Sequence, residues 1–325
     1  MKRLTMEELE SMKGKCATVV GLGKTGVAAA RFLRSRGLDV LVTDVKRADE
    51  REEGIKALGD GGYRFAFGGH EDEILSRTDI MIVSPGVPWN SGFLEKARGM
   101  QIPVMSEIEF SFGLGSARWA AVTGTKGKTT TTTLLHRMLV KRFPDAVLAG
   151  NIRNPVIGEI EDLGPGAVIA AEISSFQLEG VISFKPDVAV ILNLSEDHLD
   201  RYANMQEYAE AKAKIFANQA EENHLVLNAD DKYTPIFSGL AKSRKSYFGQ
   251  VPAGEEGVYL ENGRITAGLC GRRTDICASS DMKIAGMHNV KNAMAACAAA
   301  LLMGADAEDA AEAIREFTGV EHRQE

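Results

Sequence analysis

A chain of 325 residues is long for one domain and sufficient for two, each with its own buried core. Its 45 acidic and 38 basic residues are interspersed and leave a net charge of −7, so there is no extended basic stripe to meet a nucleic-acid backbone. The opening MKRLTMEELESMKGKC lacks the apolar core of a signal peptide, and the longest apolar run, MAACAAALLMGA, is too short to span a bilayer. A cytoplasmic protein without nucleic-acid partners or membrane insertion is expected.

In chain order, CATVVGLG reads as a strand, TGVAAARFLRSRG as a helix and DVLVTDV as a second strand, the alternation of a parallel sheet. DIMIVSPGV, Asp79 to Val87, repeats the theme, and continuous apolar strands of this kind suit a sheet covered on both faces. This first domain is expected over residues 1–103. A second, larger α/β series over 104–320 runs through RWAAVTGT, AVIAAEIS, DVAVILNLS and HLVLNAD. Between Tyr247 and Ile284 the pattern becomes short and alternating, and the Asn-Gly of ENGR predicts a tight hairpin in a small antiparallel appendage. Helices return with HNVKNAMAACAAALLMG and DAEDAAEAIREF, each with an apolar stripe at helical spacing. The four cysteines, Cys16, Cys270, Cys277 and Cys297, have neither disulfide-framework nor zinc-ligand spacing and read as small neutral residues.

Two glycine turns mark phosphate chemistry. GLGKTG places Gly21, Gly23 and Gly26 between a strand and a helix, with Asp44 closing the next strand, which fits a dinucleotide site, another nucleotide, or close helix–strand packing. AVTGTKGKTTTTTLL resembles a phosphate-binding loop but carries Val122 where the usual first glycine stands. Gly124 and Gly127 free its backbone, Lys128 supplies a cation for the outer phosphates, and Thr129 offers a hydroxyl to Mg²⁺. Glu172 follows one apolar run and Asp197, His198, Asp200 and Arg201 follow another, and such strand ends line the ligand crevice of wound sheets. Thr129, Glu172 and His198 could therefore surround one or two magnesium ions. Lys212 and Lys214 read as a solvated helix face, and Asn289 and Asn292 as either adenine contacts or caps.

GTKGKTT, EISSFQLE, DHLDRY, KAKI, HNVKN and EHR occur together and in order, and in this the chain resembles the Mur ligases of peptidoglycan synthesis. The resemblance is strongest to the branch that joins D-glutamate to UDP-N-acetylmuramoyl-L-alanine. It implies a Rossmann-like UDP-sugar domain, an ATPase domain of the P-loop type, and ATP-driven amide formation through an acyl phosphate. By resemblance, Gly124, Thr125, Lys126, Gly127, Lys128, Thr129 and Thr130 would cradle ATP, Asn289 and Asn292 would contact adenine, and Arg323 would reach the nucleotide. Thr129, Glu172, His198 and a carbamate on Lys212 would hold two Mg²⁺ ions, with Lys128, His198 and Lys212 as the catalytic set. Lys24, Thr25 and Gly26 would meet the diphosphate, Asp44 and Lys46 the uridine end, Ser84 and Gly86 the neighbouring part, and Asn151 and His198 the muramoyl end. The sequence departs from the family pattern at Lys126, where many relatives have Asn, and at Arg153, where Gly is usual. The resemblance also implies a monomer. Residues 321–325 would begin the hinge to a third, amino-acid-binding domain, so that this chain alone is expected to bind both nucleotides yet ligate poorly. A sister ligase for another amino acid, an NAD-dependent dehydrogenase and a nucleotide-sensing binding protein are the competing readings.

Overall fold

The computed structural model describes residues 3–164, 166–198 and 200–320, in two compact units. The first comprises Met1–Ser116, Arg153–Leu163 and Phe176–Phe184, and the second Ala117–Ile152, Gly164–Ser175 and Lys185–Glu325.

The first unit is built on a parallel sheet of β1 (Cys16–Val20), β2 (Asp39–Asp44), β3 (Arg64–Phe67), β4 (Ile80–Val83) and β5 (Val104–Ser106), in the order β3-β2-β1-β4-β5. All five residues of β1 are buried, because a central strand between helical layers has no solvent face. Helix Lys24–Ser35 lays Val27, Ala29, Ala30, Phe32 and Leu33 into the interior, and full burial of Leu33 alone is worth about 2 kcal/mol. The opposite layer gathers Val20, Leu41, Met81, Val83, Phe93, Leu94 and Val104 into one core. The unit runs past the boundary expected at residue 103, because β5 adds to the sheet beside β4 and helix Glu107–Leu114 follows it directly. A three-residue strand carries too short an apolar run to announce itself.

The second unit carries β6 (Arg118–Thr123), β7 (Val147–Gly150), β8 (Val168–Glu172), β9 (Val188–Ile191), β10 (His224–Asn228), β11 (Arg244–Phe248), β12 (Gly257–Glu261), β13 (Arg264–Leu269) and β14 (Arg272–Ala278). They form one sheet in the order β14-β13-β12-β11-β10-β9-β6-β8-β7, parallel as far as β12. The predicted hairpin exists, with Asn262 at φ 48° and Gly263 at φ 75° between the antiparallel β12 and β13. The antiparallel strands are no separate appendage, however, since β12 pairs with β11 through Tyr247↔Gly257 and Phe248↔Val258 and so extends the main sheet. Helix Met287–Met303 buries Ala293 through Ala300 without a polar face and packs with Leu134, Leu135, Met138 and Leu139 of helix Lys128–Arg142 in the core. Among the described residues no helix is long and apolar enough to cross a membrane.

Candidate active site

In the second unit, β6 lies between β8 and β9, so its C-terminal end opens at the point where the strand order reverses, the usual place for a ligand in a wound sheet. Gly124–Gly127 turn there into helix Lys128–Arg142, which begins without a side-chain cap, and a helix start of this kind is a setting in which backbone N–H groups meet an anion. Gly127 is left-handed at φ 81°, which favours glycine, and a Cβ on it would come within 2.5 Å of Asn292 Oδ1 and displace that amide. Asn193 pins the turn from β9: its amide accepts from Lys126 N–H and donates to Lys126 C=O, both at 2.9 Å. Ser195 N–H donates to Thr125 Oγ1 at 3.1 Å, and Lys128 Nζ donates to Thr125 C=O at 2.8 Å.

Glu172, at the end of β8 and 1% exposed, takes one hydrogen bond on each oxygen. Thr129 Oγ1 donates to Oε2 and Asn151 Nδ2 to Oε1, each at 2.8 Å. Thr129 and Glu172 are thus brought together as expected from their places at the helix start and the strand end. Asn151 is held in the same cluster.

Lys212 overturns the solvated-face reading. Asn204 caps its helix, Met205–Ala213, by accepting from Gln206 and Glu207 N–H, and the helix turns Lys212 inward until it is 1% exposed. Its Nζ donates to Gly124 C=O at 2.9 Å and lies 4.6 Å over the Tyr208 ring. Burial first, and then the charge of Lys128, push the Lys212 pKa down to about 7 against the opposing pull of Asp197. His198 sits at φ 53° in the β9 loop, with Nε2 3.6 Å from Asp197 Oδ2 and its ring edge-on to Tyr208 at 6.2 Å. Tyr208 also places its hydroxyl 3.4 Å from Thr125 Oγ1, so Lys212 and Tyr208 both meet the glycine turn, and His198 packs against Tyr208. Among the described residues no group of three or more His, Cys, Asp or Glu side chains could hold a metal by itself.

Across the turn lies a cavity of about 460 Å³ lined by Lys126, Gly127, Thr130, Asn193, Asn289 and Asn292, among others. The two asparagines therefore share one space with the phosphate turn. Asn292 is buried, while Asn289 also donates to Ala285 C=O at 2.7 Å. Asn228 lines the same cavity and donates to Leu192 C=O at 2.9 Å. Asn193 and Asn228 escaped the sequence reading, although each stands at an apolar strand's end, the same signal that marked Glu172.

In the first unit, the Asp44 carboxylate organises the glycine turn. It accepts Leu22 N–H at 2.8 Å and Lys46 N–H at 2.9 Å and lies 2.8 Å from Arg51 Nε. Burial pushes this carboxyl up, but those bonds and the guanidinium outweigh it and hold it below the usual carboxylate range. Gly26 serves close packing, since a Cβ there would stand 1.9 Å from Gly21 C=O. Ser84 Oγ donates to that same carbonyl at 2.8 Å. Lys24 and Thr25 open the helix, Lys46 follows β2, and Gly86 lies exposed after β4. Lys24 lines a cavity of about 970 Å³ floored by Leu22, Val27, Ala28 and Phe32 and walled by residues of 153–161. Arg323 lies outside the described residues.

A phosphate turn with oxygen donors on one flank and an amide-lined, base-sized cavity on the other makes the second unit a nucleotide-binding unit of the ATPase kind. Residues 122–300 match the Mur ligase middle domain, and residues 15–106 match the Mur ligase MurD-like N-terminal domain. The UDP-N-acetylmuramoylalanine--D-glutamate ligase of Pelotomaculum thermopropionicum is 38% identical over 317 residues, covering 98% of this chain and 70% of the relative. Its counterpart from Geotalea daltonii is 42% identical over 316 residues, covering 97% and 69%. Among solved structures, the UDP-N-acetylmuramate:L-alanyl-gamma-D-glutamyl-meso-diaminopimelate ligase from Neisseria meningitides shares the fold at a TM-score of 0.60 and 19% identity, over 94% of this chain and 99% of that one. The chain belongs to the Mur ligase family. That membership sets aside the nicotinamide dehydrogenase, and the chain spans about 70% of the length of these curated relatives.

Proposed function

We infer that this chain carries the nucleotide- and UDP-sugar-binding units of an ATP-dependent ligase that joins D-glutamate to UDP-N-acetylmuramoyl-L-alanine. The observation that carries the reading is the phosphate turn grasped from two sides, by Glu172 through Thr129 and by Lys212 through Gly124. The 38–42% identity to D-glutamate ligases over nearly the whole chain supports the choice of substrates.

The alanyl carboxylate of the UDP-sugar attacks the γ-phosphorus of ATP, the bond to the β-phosphate oxygen breaks, and ADP leaves an acyl phosphate. The D-glutamate amine then attacks the acyl carbon, phosphate departs, and the amine loses a proton as the amide forms. Neither step needs a covalent protein nucleophile, so catalysis rests on bringing anions together and offsetting their repulsion. The uncapped N–H groups of helix Lys128–Arg142 and the Lys128 ammonium serve that end, while Asn289 and Asn292 would hold the adenine. Thr129 Oγ1 and Glu172 Oε2 are hard oxygen donors of the kind Mg²⁺ takes, and they would hold one ion. Mg²⁺ there would neutralise phosphate charge. His198 and a carbamate on Lys212 would serve a second ion. A buried amine with a pKa near 7 is about half uncharged at neutral pH, and the neutral amine is the form that adds to CO₂; the carbamate would turn a cation into an oxygen ligand. Lys24, Thr25, Asp44 and Lys46 would receive the UDP end and Asn151 the muramoyl end, with Ser84 and Gly26 shaping the turn that does so.

The decisive assay is ADP release from ATP by the protein at its full encoded length, with UDP-N-acetylmuramoyl-L-alanine and a panel of amino acids. D-Glutamate alone should drive turnover. Turnover with a different amino acid and none with D-glutamate would reassign the enzyme to a sister ligase.

A further inference from the structure

We propose that Glu107 is a positioning residue for the UDP-sugar site, holding the 153–161 wall of the 970 Å³ cavity in place against the helix that begins at Lys24. The proposal rests on the functional reading above.

Glu107 is the first residue of helix Glu107–Leu114 and is 1% exposed. Its Oε1 accepts Ile157 N–H at 2.7 Å and the Ser111 hydroxyl at 3.3 Å, and Val156 N–H also favours the ionised carboxyl, while Oε2 is buried with no hydrogen-bond partner among the described residues. A carboxyl taken wholly out of water with one oxygen unanswered is expensive, and an apolar side chain of similar volume would cost the helix less. What the carboxyl supplies is the fixed height of a short turn. Val156–Gly158 is a single turn of 3-10 helix, with Val156 and Ile157 fully buried, and no strand fixes its register. Gly158 stands over Ala28, where a Cβ added to the glycine would lie 3.9 Å from the Ala28 methyl, so the turn lies directly on helix Lys24–Ser35.

That turn is the cavity's wall. Arg153, Asn154, Pro155, Ile157 and Gly158 line it opposite Lys24, Val27 and Ala28. Arg153 stands at φ 54°, a conformation a non-glycine residue keeps only where its surroundings impose it. Release of Ile157 from Glu107 would free the buried end of this segment and with it the cavity face opposite Lys24, the one residue assigned above to the UDP-sugar that lines this cavity. Glu109, two residues on, makes the matching bonds on the helix's other side, where its carboxylate accepts the N–H groups of Ile182, Ser183 and Phe184 at 2.8–3.0 Å. One helix thus fixes two returning segments of the unit by buried carboxylates.

The test is isothermal titration of Glu107→Ala and Glu107→Gln with UDP-N-acetylmuramoyl-L-alanine and, separately, with ADP. Glu107→Ala should raise the Kd for the UDP-sugar at least tenfold and leave that for ADP within twofold, because Glu107 is not among the residues of the 460 Å³ cavity. Glu107→Gln retains an oxygen for Ile157 N–H and should bind the UDP-sugar within threefold of the unaltered protein. Should Glu107→Ala fail to fold, Glu107→Asp, which draws the oxygen back by one methylene, carries the same comparison. Unchanged UDP-sugar affinity in the folded Ala or Asp variant overturns the positioning role, as does equal loss of both ligands or a Gln variant as weak as Ala. Absence of UDP-sugar binding by the unaltered protein would instead overturn the functional reading, and the proposal with it.

Discussion

Replacing Lys212 by Met should stabilise the folded chain at neutral pH while abolishing turnover. A fall in pKa from 10.5 to about 7 corresponds, at about 1.36 kcal/mol per pH unit, to a burial cost with a ceiling of about 5 kcal/mol. Met fills similar volume without that cost, but it leaves Gly124 C=O without its 2.9 Å donor, a loss of about 1–3 kcal/mol. A net gain of about 2 kcal/mol at pH 7 is expected. Between pH 7 and 10.5 the unfolded chain keeps a proton that the folded chain gives up at this amine. Wild-type stability therefore rises with pH across that window, by at most about 1.4 kcal/mol per unit, and the Met variant loses this slope. Urea unfolding at pH 7 and 9 in CO₂-free buffer measures both effects. Trp119, buried in β6, reports on this unit once Trp89 is replaced by Phe. A Met variant less stable than wild type at both pH values, with the same slope, would mean that Lys212 is charged in the folded chain and would refute the reasoning.

Thr129→Ala should cost about 1 kcal/mol of stability through the lost bond to Glu172, and should weaken ADP binding at least tenfold in Mg²⁺ but not in EDTA, as calorimetric titration will show. Gly26→Ala drives a methyl into Gly21 C=O and should lower stability by about 3 kcal/mol or more, a drop of several degrees in Tm by scanning calorimetry. Burial pushes the Glu107 carboxyl up to about 7 from 4.5, so the folded chain keeps a proton that the unfolded chain loses, and stability falls as pH rises through that window. Glu107→Gln removes the effect, and it should match wild type at pH 4 and exceed it by up to about 3 kcal/mol at pH 8 in denaturant titrations.

The parallel parts of both sheets were legible because their central strands are buried on two faces and appear as unbroken apolar runs, and both glycine turns because positive φ at Gly21 and Gly127 and the close approach at Gly26 admit few other residues. The Asn262-Gly263 hairpin was legible for the same local reason, a turn type that demands positive φ. What stayed hidden depends on partners far along the chain. Nothing in YAEAKAKIF shows that Lys212 meets Gly124, 88 residues earlier, and composition alone sends such a lysine to solvent. The resemblance to the Mur ligases singled it out where local chemistry did not. Glu107 likewise meets Ile157 across 50 residues, and Asn193 meets Lys126 across 67. Gly26 was legible as necessary, but only the 1.9 Å approach to Gly21 C=O shows that the necessity is spatial.

The chain passes between its two units five times, at 116/117, 152/153, 163/164, 175/176 and 184/185. Neither unit can therefore be excised with a single cut. A fragment beginning at Ala117 would carry off Ile157 and the 182–184 segment without the carboxylates of Glu107 and Glu109 that receive their N–H groups. The matching amino-terminal fragment would keep both acids with neither segment to hold. Whoever dissects this enzyme should expect two sticky, half-built pieces and should graft the two excursions back onto the first unit before judging what either unit does by itself.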